Sequence, residues 1–198
     1  MRRHARAFQE AAGTAAIWEV ASVEPGLDLR ESAPAGFTRV DGTPPAGAPW
    51  GRLGFPFVFR ATAGSLGPPP AALSSFTTTV LEQGSEAAIT VVPHVPGVTI
   101  RFVLPPNLVP ARSNLPGVVR AGRWTATFVA PPADGLSWRA SFARTPPQTL
   151  DGIVVAATMP WGMQPPSWLP QDLSVWSGGA TWLLPRPLPA VASMPSLR

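Results

Sequence analysis

Short runs of β-branched and aromatic residues, each ended by proline or glycine, constrain the fold of this chain most strongly. The chain has 27 prolines and 18 glycines among 198 residues. Proline interrupts helices and central strands, so this punctuation favours short extended segments. No segment after residue 12 has a convincing helical period. The pattern predicts strands at Thr14–Ser22, Phe55–Arg60, Phe76–Glu82, Ala87–Val92, Val98–Leu104, Arg123–Ala130, Leu136–Ala143, Asp151–Thr158 and Leu173–Leu184.

The spacing of these segments predicts an all-β antiparallel sandwich, immunoglobulin-like or jelly-roll-like, with long Pro-rich loops. A parallel sheet would need helical crossovers, and the sequence offers none. Pro56 places its strand at a sheet edge. The connection Pro131–Gly135 ends in Asp-Gly, which predicts an antiparallel hairpin between the strands on either side of it. Gly178-Gly179 predicts a bulge or bend in the last strand.

Composition at the two ends suggests three parts. Residues 1–12 are rich in Ala, Arg, Gln and Glu, which favours a short helix or a tail. Residues 13–184 form the predicted sandwich domain, and residues 185–198 form a Pro-rich C-terminal tail. We expect a single folded domain between the two ends.

The charge pattern argues against a nucleic-acid partner, although the calculated pI is about 11.4. The net charge is only +4, and the chain has no Tyr, no Cys and no Lys that would titrate between histidine and arginine. The arginines are scattered beyond Arg2, Arg3 and Arg6, whereas a phosphate backbone needs a clustered basic surface. Hydrophobic residues make up 45% of the chain, which argues against disorder.

No segment is predicted to span a membrane. The stretch Gly152–Gln171 is uncharged and about long enough. It contains four prolines, however, and such a segment cannot satisfy its backbone as a helix in lipid. The Arg-containing N-terminus is followed by Gln9 and Glu10 instead of an apolar run, so we predict no cleavable signal.

The side chains that carry most enzyme chemistry are sparse. The absence of Cys removes thiolate catalysis and cysteine zinc sites. A metal site needs several convergent ligands, but His4 lies in the predicted tail and His94 in a Pro-containing turn. Asp134 and Asp151 each precede glycine, where aspartate is typical of a turn. We therefore predict a non-enzymatic domain with no catalytic residue, no metal site and no cofactor.

Eight tryptophans are the most unusual feature of the composition. Those on predicted strands are expected in the core: Trp18, Trp124, Trp138, Trp176 and Trp182. Trp50, Trp161 and Trp168 lie in Pro- and Gly-rich loops, and two alternatives stay open for them. They are either exposed, where indole stacks on sugar rings or joins a protein interface, or folded back over the end of the sandwich. They form the predicted ligand-binding set.

Three segments resemble a known family: Gly13–Ser22 (GTAAIWEVAS), Arg123–Phe142 (RWTATFVAPPADGLSWRASF) and Pro166–Leu184 (PSWLPQDLSVWSGGATWLL). They are similar to the C-terminal region of bacterial membrane-anchored zinc exopeptidases of the aminopeptidase type, whose relatives include the endoplasmic-reticulum metallopeptidases. The resemblance covers most of the chain from Gly13 onward and contains no signature motif. It implies an extracytoplasmic β-domain attached to a catalytic domain and membrane helices outside this chain. The family's zinc-binding motifs have no match here, so the resemblance implies no catalytic residue.

These observations favour a non-catalytic accessory domain of such a peptidase, which scaffolds or contacts the catalytic domain or another protein. The alternative is a free-standing module that binds carbohydrate or protein through Trp50, Trp161 and Trp168. A third hypothesis is a self-assembling shell or filament subunit with a jelly-roll body.

Overall fold

The computed structural model describes residues 2–10, 15–23, 25, 33, 35–45, 48, 52, 54–120, 122–160, 168, 175–177 and 179–187. Extended backbone dominates this part of the chain. The helical segment among the described residues is a 3-10 helix, Pro147–Gly152. The strands are β1 (Arg2–Gln9), β2 (Ala16–Ser22), β3 (Thr38–Val40), β4 (Phe57–Ala63), β5 (Ala71–Leu81), β6 (Gly84–Pro93), β7 (Thr99–Val103), β8 (Arg112–Ser113), β9 (Gly117–Arg120), β10 (Arg123–Val129), β11 (Leu136–Ala143), β12 (Val154–Pro160), β13 (Val175–Ser177) and β14 (Gly179–Leu183).

The strands form two sheets that pack face to face. The large sheet has the order β3-β4-β2-β1-β14-β12-β7-β10-β9, with β13 paired to β1, and the small sheet has the order β5-β6-β11-β8. The main hydrophobic core draws residues from both sheets, including Phe102 and Val155 from one and Ile89 and Phe142 from the other. The predicted all-β, largely antiparallel sandwich is therefore confirmed.

Period-two alternation creates this core. On β11, Leu136, Trp138, Ala140 and Phe142 are buried, while the residues between them are more exposed. The ring of Trp138 stacks on Phe102 across the two sheets, with 5.0 Å between ring centroids. Burial of each large apolar side chain stabilises the fold by about 1.5–3 kcal/mol. The Trp138 indole also donates a 3.0 Å hydrogen bond to the Ser113 hydroxyl, so its polar atom is satisfied inside the sandwich.

The expectation of a short helix or tail over residues 1–12 is wrong for Arg2–Gln9, which forms strand β1 within the large sheet. Ala5, Ala7 and Phe8 are fully buried there. β1 pairs with β2 on one side and with β13 and β14 on the other. The helix propensity of Ala, Arg and Gln is a weak local preference, and pairing on both sides overrides it.

The large sheet is mixed instead of wholly antiparallel, because β1 runs parallel to β13 and β14. The absence of helical crossovers argued against any parallel pair. That argument applies to strands that are close in sequence, where the connection must run back along the sheet. Here the two partners come from opposite ends of the chain, so the rest of the domain serves as the connection.

The predicted hairpin across Pro131–Gly135 is also wrong. β10 pairs with β7 and β9 in the large sheet, whereas β11 pairs with β6 and β8 in the small sheet. The connection thus carries the chain from one sheet to the other. This crossing lets Trp124 of β10 and Trp138 of β11 meet in the core from opposite sides, with ring centroids 5.9 Å apart.

Two smaller predictions concern proline and glycine. Pro56 precedes β4, and β4 is not an edge strand, because the short β3 covers its outer side along Val58–Arg60. The bend predicted at Gly178-Gly179 falls partly outside the described residues. β13 ends at Ser177 and β14 begins at Gly179.

Candidate functional site

The four sheet edges in the described part of the chain differ greatly in length. The large sheet ends in β3, with 3 residues, and in β9, with 4 residues. The small sheet ends in β8, with 2 residues, and in β5, with 11 residues. A short edge strand presents few unpaired backbone groups, whereas a long one is a template for another strand. Only β5 offers such a template among these edges.

Apart from a bulge near its start, β5 lacks the features that usually protect an edge. Its sequence, AALSSFTTTVL, contains no charged residue and no proline. Near its start the pairing with β6 shifts register between Leu73 and Ser75, and the Ser74 hydroxyl donates a 3.3 Å hydrogen bond to the Thr90 carbonyl. Beyond this bulge the strand stays in register with β6 as far as Leu81. The unprotected stretch therefore extends from Ser75 to the hairpin turn.

Register with β6 shows which side chains of β5 face the other sheet. Phe76, Thr78 and Val80 lie opposite Ile89, Ala87 and Ser85, which are buried on the inner face of β6. Phe76 packs against the core, but Thr78 is exposed and Val80 is 72% exposed. The inward face of β5 is therefore partly covered at Phe76 and open to solvent along the second half of the strand.

The turn between β5 and β6 is closed by a glycine at a point where no side chain fits. Gly84 has φ of 154°, and an added Cβ would lie 2.0 Å from the carbonyl oxygen of Phe142 on β11. Backbone contact at this position holds the hairpin tightly against the rest of the small sheet. The exposed end of β5 is therefore part of a fixed hairpin.

A groove lies between the β5 edge and the large sheet, and we call it the β5 groove. Its volume is about 320 Å³, and its lining is formed by Glu10, Leu73, Phe76, Ile153, Val154, Val155, Leu183, Leu184 and Arg186. Most of these side chains are apolar. An apolar cavity of about 150 Å³ already holds a benzene-sized ring. The β5 groove therefore has room for a large aromatic or aliphatic side chain.

Arg186 bridges the two sheets at the rim of this groove. It follows β14, and its guanidinium carbon lies 3.7 Å from the centre of the Phe76 ring on β5. The same guanidinium donates 2.9 Å and 2.5 Å hydrogen bonds to the carboxylate and the carbonyl of Asp151. Cation–π contact and these bonds fix the side chain beside the opening. Glu10 is the acidic residue on the lining.

The lining of the β5 groove supplies apolar contact, the guanidinium of Arg186 and the carboxylate of Glu10. Across the described residues, no group of three His, Cys, Asp or Glu side chains is placed to hold a metal ion. Within the same part of the chain, no helix is long and apolar enough to cross a membrane.

A second polar feature is a row of three charges across β1, β2 and β4. Arg6, Glu19 and Arg60 lie directly opposite one another. The Glu19 carboxylate, 1% exposed, accepts hydrogen bonds from Arg6 Nε at 2.6 Å and from Arg60 Nη2 at 2.5 Å. Arg60 also donates to the Thr43 carbonyl. Since Arg6 and Glu19 are buried and the carboxylate is shared by two cations, the row acts as a structural cross-link between strands.

His4 lies next to this row on β1. Its ring stacks on Phe55, with 6.2 Å between ring centroids. Burial lowers the pKa of His4, and the positive charge of Arg6 lowers it further, while the negative charge of Glu19 opposes the shift. Burial likewise lowers the pKa of Arg6, against the opposing effect of Glu19. Folding therefore shifts His4 toward its neutral form.

The structure describes one of the three loop tryptophans. Trp168 is 8% exposed and packs with Ala5 and Val20 in a second, smaller apolar cluster. Its ring centroid lies 5.3 Å from that of Trp18 in an edge-on arrangement. Trp168 is thus buried against β1 and β2. Trp50 and Trp161 lie outside the described residues, so the ligand-binding set as a whole stays a prediction.

The other residues considered for chemistry are dispersed. His94 lies in the exposed turn after β6, and its amide donates a hydrogen bond to the Pro70 carbonyl. Asp134 lies in the turn between β10 and β11, and Asp151 lies in the 3-10 helix. Sequence reasoning missed β5 as a functional element. The available signal was its uncharged run of threonine and apolar residues between two turns.

Comparison with known proteins assigns no family. No family model matches the chain, and no curated protein matches it. The yeast delta-COP-I mu-homology domain aligns with a TM-score of 0.38 at 10% sequence identity, covering 93% of this chain and 94% of that chain. The same yeast domain complexed with the Dsl1 WxWxV peptide aligns with a TM-score of 0.37 at 13% identity, covering 93% of this chain and 96% of that chain. Similarity at this level assigns neither a family nor a partner, and the resemblance to zinc exopeptidases stays a prediction.

Proposed function

We propose that this chain is a non-catalytic domain that binds an extended segment of another protein along strand β5. The observation that carries the proposal is the contrast among the sheet edges: β5 has 11 residues, whereas the other edge strands have 2 to 4. Addition of a strand to an exposed edge is a common mode of peptide recognition. Backbone hydrogen bonds supply affinity, and pockets beside alternate side chains supply selectivity. The β5 groove is such a pocket.

The apolar character of β5 supports the same function. Val80 and Leu81 are 72% and 44% exposed on an edge that has no charge to repel an incoming strand. Large apolar side chains at such an edge favour pairing with another chain. A domain that keeps them exposed is expected to bury them on binding.

The test is selection of peptides from a random displayed library on the wild-type domain. Peptides that bind are then measured against Val80→Lys, which puts a charge on the exposed edge. We expect affinity to fall about tenfold or more, because edge lysines oppose strand pairing. The matched control is Val118→Lys on the short edge strand β9, where the side chain is 52% exposed. Peptides that bind both variants as well as wild type, or no enriched peptide at all, would contradict the proposed function.

The sequence resemblance suggests the identity of the binding partner. We propose a peptidase catalytic domain on the extracytoplasmic side of a membrane, with the present chain as its accessory domain. Genomic context provides the test. A coding segment for membrane helices and a zinc-binding domain joined to this one supports the proposal. A chain encoded apart from any such segment contradicts it, and leaves binding along β5 unaffected.

A further inference from the structure

The β5 groove and the charges near β5 define what kind of segment fits this edge. We infer that the bound segment carries one large apolar residue beside Phe76 and a basic residue three positions from it. This inference rests on the proposed function and specifies the partner's chemistry. It follows from the alternation of side chains along a strand, the lining of the β5 groove, the exposure of Thr78 and Val80, and the distribution of carboxylates.

The position of the apolar residue follows from the groove. A strand added to β5 points every second side chain inward, on the same face as Phe76, Thr78 and Val80. Next to Phe76 this face opens into the β5 groove, whose lining includes Leu73, Ile153 and Leu184. Next to Thr78 and Val80 it opens into solvent, since both side chains are exposed. One inward residue is therefore buried, and the following inward residues are free to vary.

The position of the basic residue follows from Glu86. Glu86 lies on β6 directly opposite Thr79, on the outer face of the small sheet. Thr79 is three residues from Phe76, and an odd separation places two side chains on opposite faces. A lysine or arginine next to Thr79 is one strand away from Glu86, or about 10 Å between backbones, which its long side chain can span.

The local charge favours a cation there. Within the described part of the chain, neither Glu82 in the hairpin turn nor Glu86 takes part in an ion pair. The nearby cations on the outer face are Arg139 on β11 and Arg112 on β8, both on the far side of β6, and the amide of Arg144 bonds the carbonyl of Gln83. Arg186 lies over the Phe76 ring, on the inner face. β5 itself has no charge. The turn end of this edge is thus acidic on the side where a partner strand would lie.

The experiment uses the peptides selected on the wild-type domain, labelled with a fluorophore and titrated by fluorescence anisotropy. Four forms of the best peptide are compared: the parent, the apolar residue changed to Ala, the basic residue changed to Gln, and the basic residue moved by one position. The protein forms are wild type, Glu86→Gln and a matched control, Asp134→Asn, an exposed acid at the opposite end of β6.

We expect loss of the apolar side chain to weaken binding about tenfold to a hundredfold. Loss or displacement of the basic side chain should weaken binding to the wild type about two- to fivefold, as expected for an exposed ion pair. The same peptide changes should have no effect on Glu86→Gln, while Asp134→Asn behaves as wild type. Comparing the two single changes with the combined change isolates the interaction between the basic residue of the peptide and Glu86. The result does not depend on the overall stability of the protein variant.

Four outcomes overturn the inference. The selected peptides could bind Val80→Lys weakly and still show neither a buried apolar residue nor a basic residue coupled to Glu86. That result would leave the proposed function intact and contradict the inferred spacing of one apolar and one basic residue. A Glu86→Gln effect no larger than that of Asp134→Asn contradicts the charge contact. A dimer of the domain alone in sedimentation, abolished by Val80→Lys, would show that a second copy occupies the edge. If no peptide depends on β5, the proposed function fails, and this inference fails with it.

Discussion

The two halves of the large sheet are held in place by different forces. The half that contains β7, β10 and β12 packs on the small sheet through an almost wholly apolar core. The half formed by β1 to β4 has a small apolar cluster around Trp168 on one face and the Arg6–Glu19–Arg60 row on the other. Apolar burial involves no charge that pH can titrate or ions can screen, whereas a buried charge row depends on every member being present. The difference predicts distinct responses to substitution in the two halves.

The largest effect is expected in the apolar half. Trp138→Ala removes a fully buried indole that stacks on Phe102 and Trp124. We expect the free energy of unfolding to fall by about 3–5 kcal/mol, since a cavity of this size cannot collapse completely. Urea denaturation followed by circular dichroism measures this loss. Val129→Ala, at an exposed position, is the control and should change stability by less than about 0.5 kcal/mol. A loss below about 1 kcal/mol for Trp138→Ala would contradict the sandwich core described above.

The second effect tests the charged half. Glu19→Gln keeps the size of the side chain but leaves Arg6 and Arg60 facing each other without a carboxylate between them. We expect a loss of about 3 kcal/mol, the lower end for a broken buried ion pair, because Arg60 is 24% exposed and partly hydrated.

Replacement of the whole row provides the control for Glu19→Gln. A variant with Glu19→Leu, Arg6→Met and Arg60→Met removes every charge together and should be more stable than Glu19→Gln, because no uncompensated charge stays buried. Denaturation in urea at neutral pH measures both variants. Equal stability of the two would show that strand packing, and not charge compensation, determines the cost.

A smaller effect on stability depends on pH and is expected in the charged half, because His4 lies there on β1. Because burial lowers the pKa of His4, the unfolded chain binds a proton more readily than the folded one. Stability should therefore be highest above about pH 6.5, the ordinary value for histidine, and should fall as the pH decreases through it toward the folded-state pKa. His4→Gln should reduce this slope. His94→Gln, in an exposed turn, is the matched control. A slope between pH 7 and 5 that is the same with and without His4 would contradict this assignment.

The sequence was most informative where local pattern and final environment agree. β11 alternates strictly between Leu136 and Ala143, so its strand state and its buried face could both be read directly from the residues. β1 could not, because its burial depends on β2 and β14, and β14 is more than 170 residues away in the chain. The prediction of a hairpin across Pro131–Gly135 was wrong for a related reason. The local turn chemistry was compatible with a hairpin, but nothing local specifies which sheet each strand joins.

The candidate site depends still more on distant contacts. Leu73 and Phe76 are near neighbours in sequence, but Ile153, Leu184 and Arg186 meet them only when the two sheets pack. β5 lies at a sheet edge because of the order of all the strands. Apart from the absence of charge, nothing in its own residues indicates this position. The loop tryptophans attracted attention because of their residue type. Trp168 shows that a tryptophan in a Pro-rich loop can serve as core for a sheet that lacks a second sheet against it.

The smallest effect concerns the exposed ion pair at the groove. Arg186 and Asp151 are 2.9 Å apart, with side chains 35% and 64% exposed. Asp151→Asn should therefore cost less than about 1 kcal/mol, and the cost should shrink in high salt because solvent and ions already screen the pair. Glu19→Gln should keep most of its cost in the same salt, since water has little access to that carboxylate. Denaturation of both variants at low and high salt measures the contrast. If salt reduced both losses of stability equally, the Arg6–Glu19–Arg60 row would have to be as accessible to solvent as the ion pair at the groove. The charged half would then owe its stability to its small apolar cluster alone.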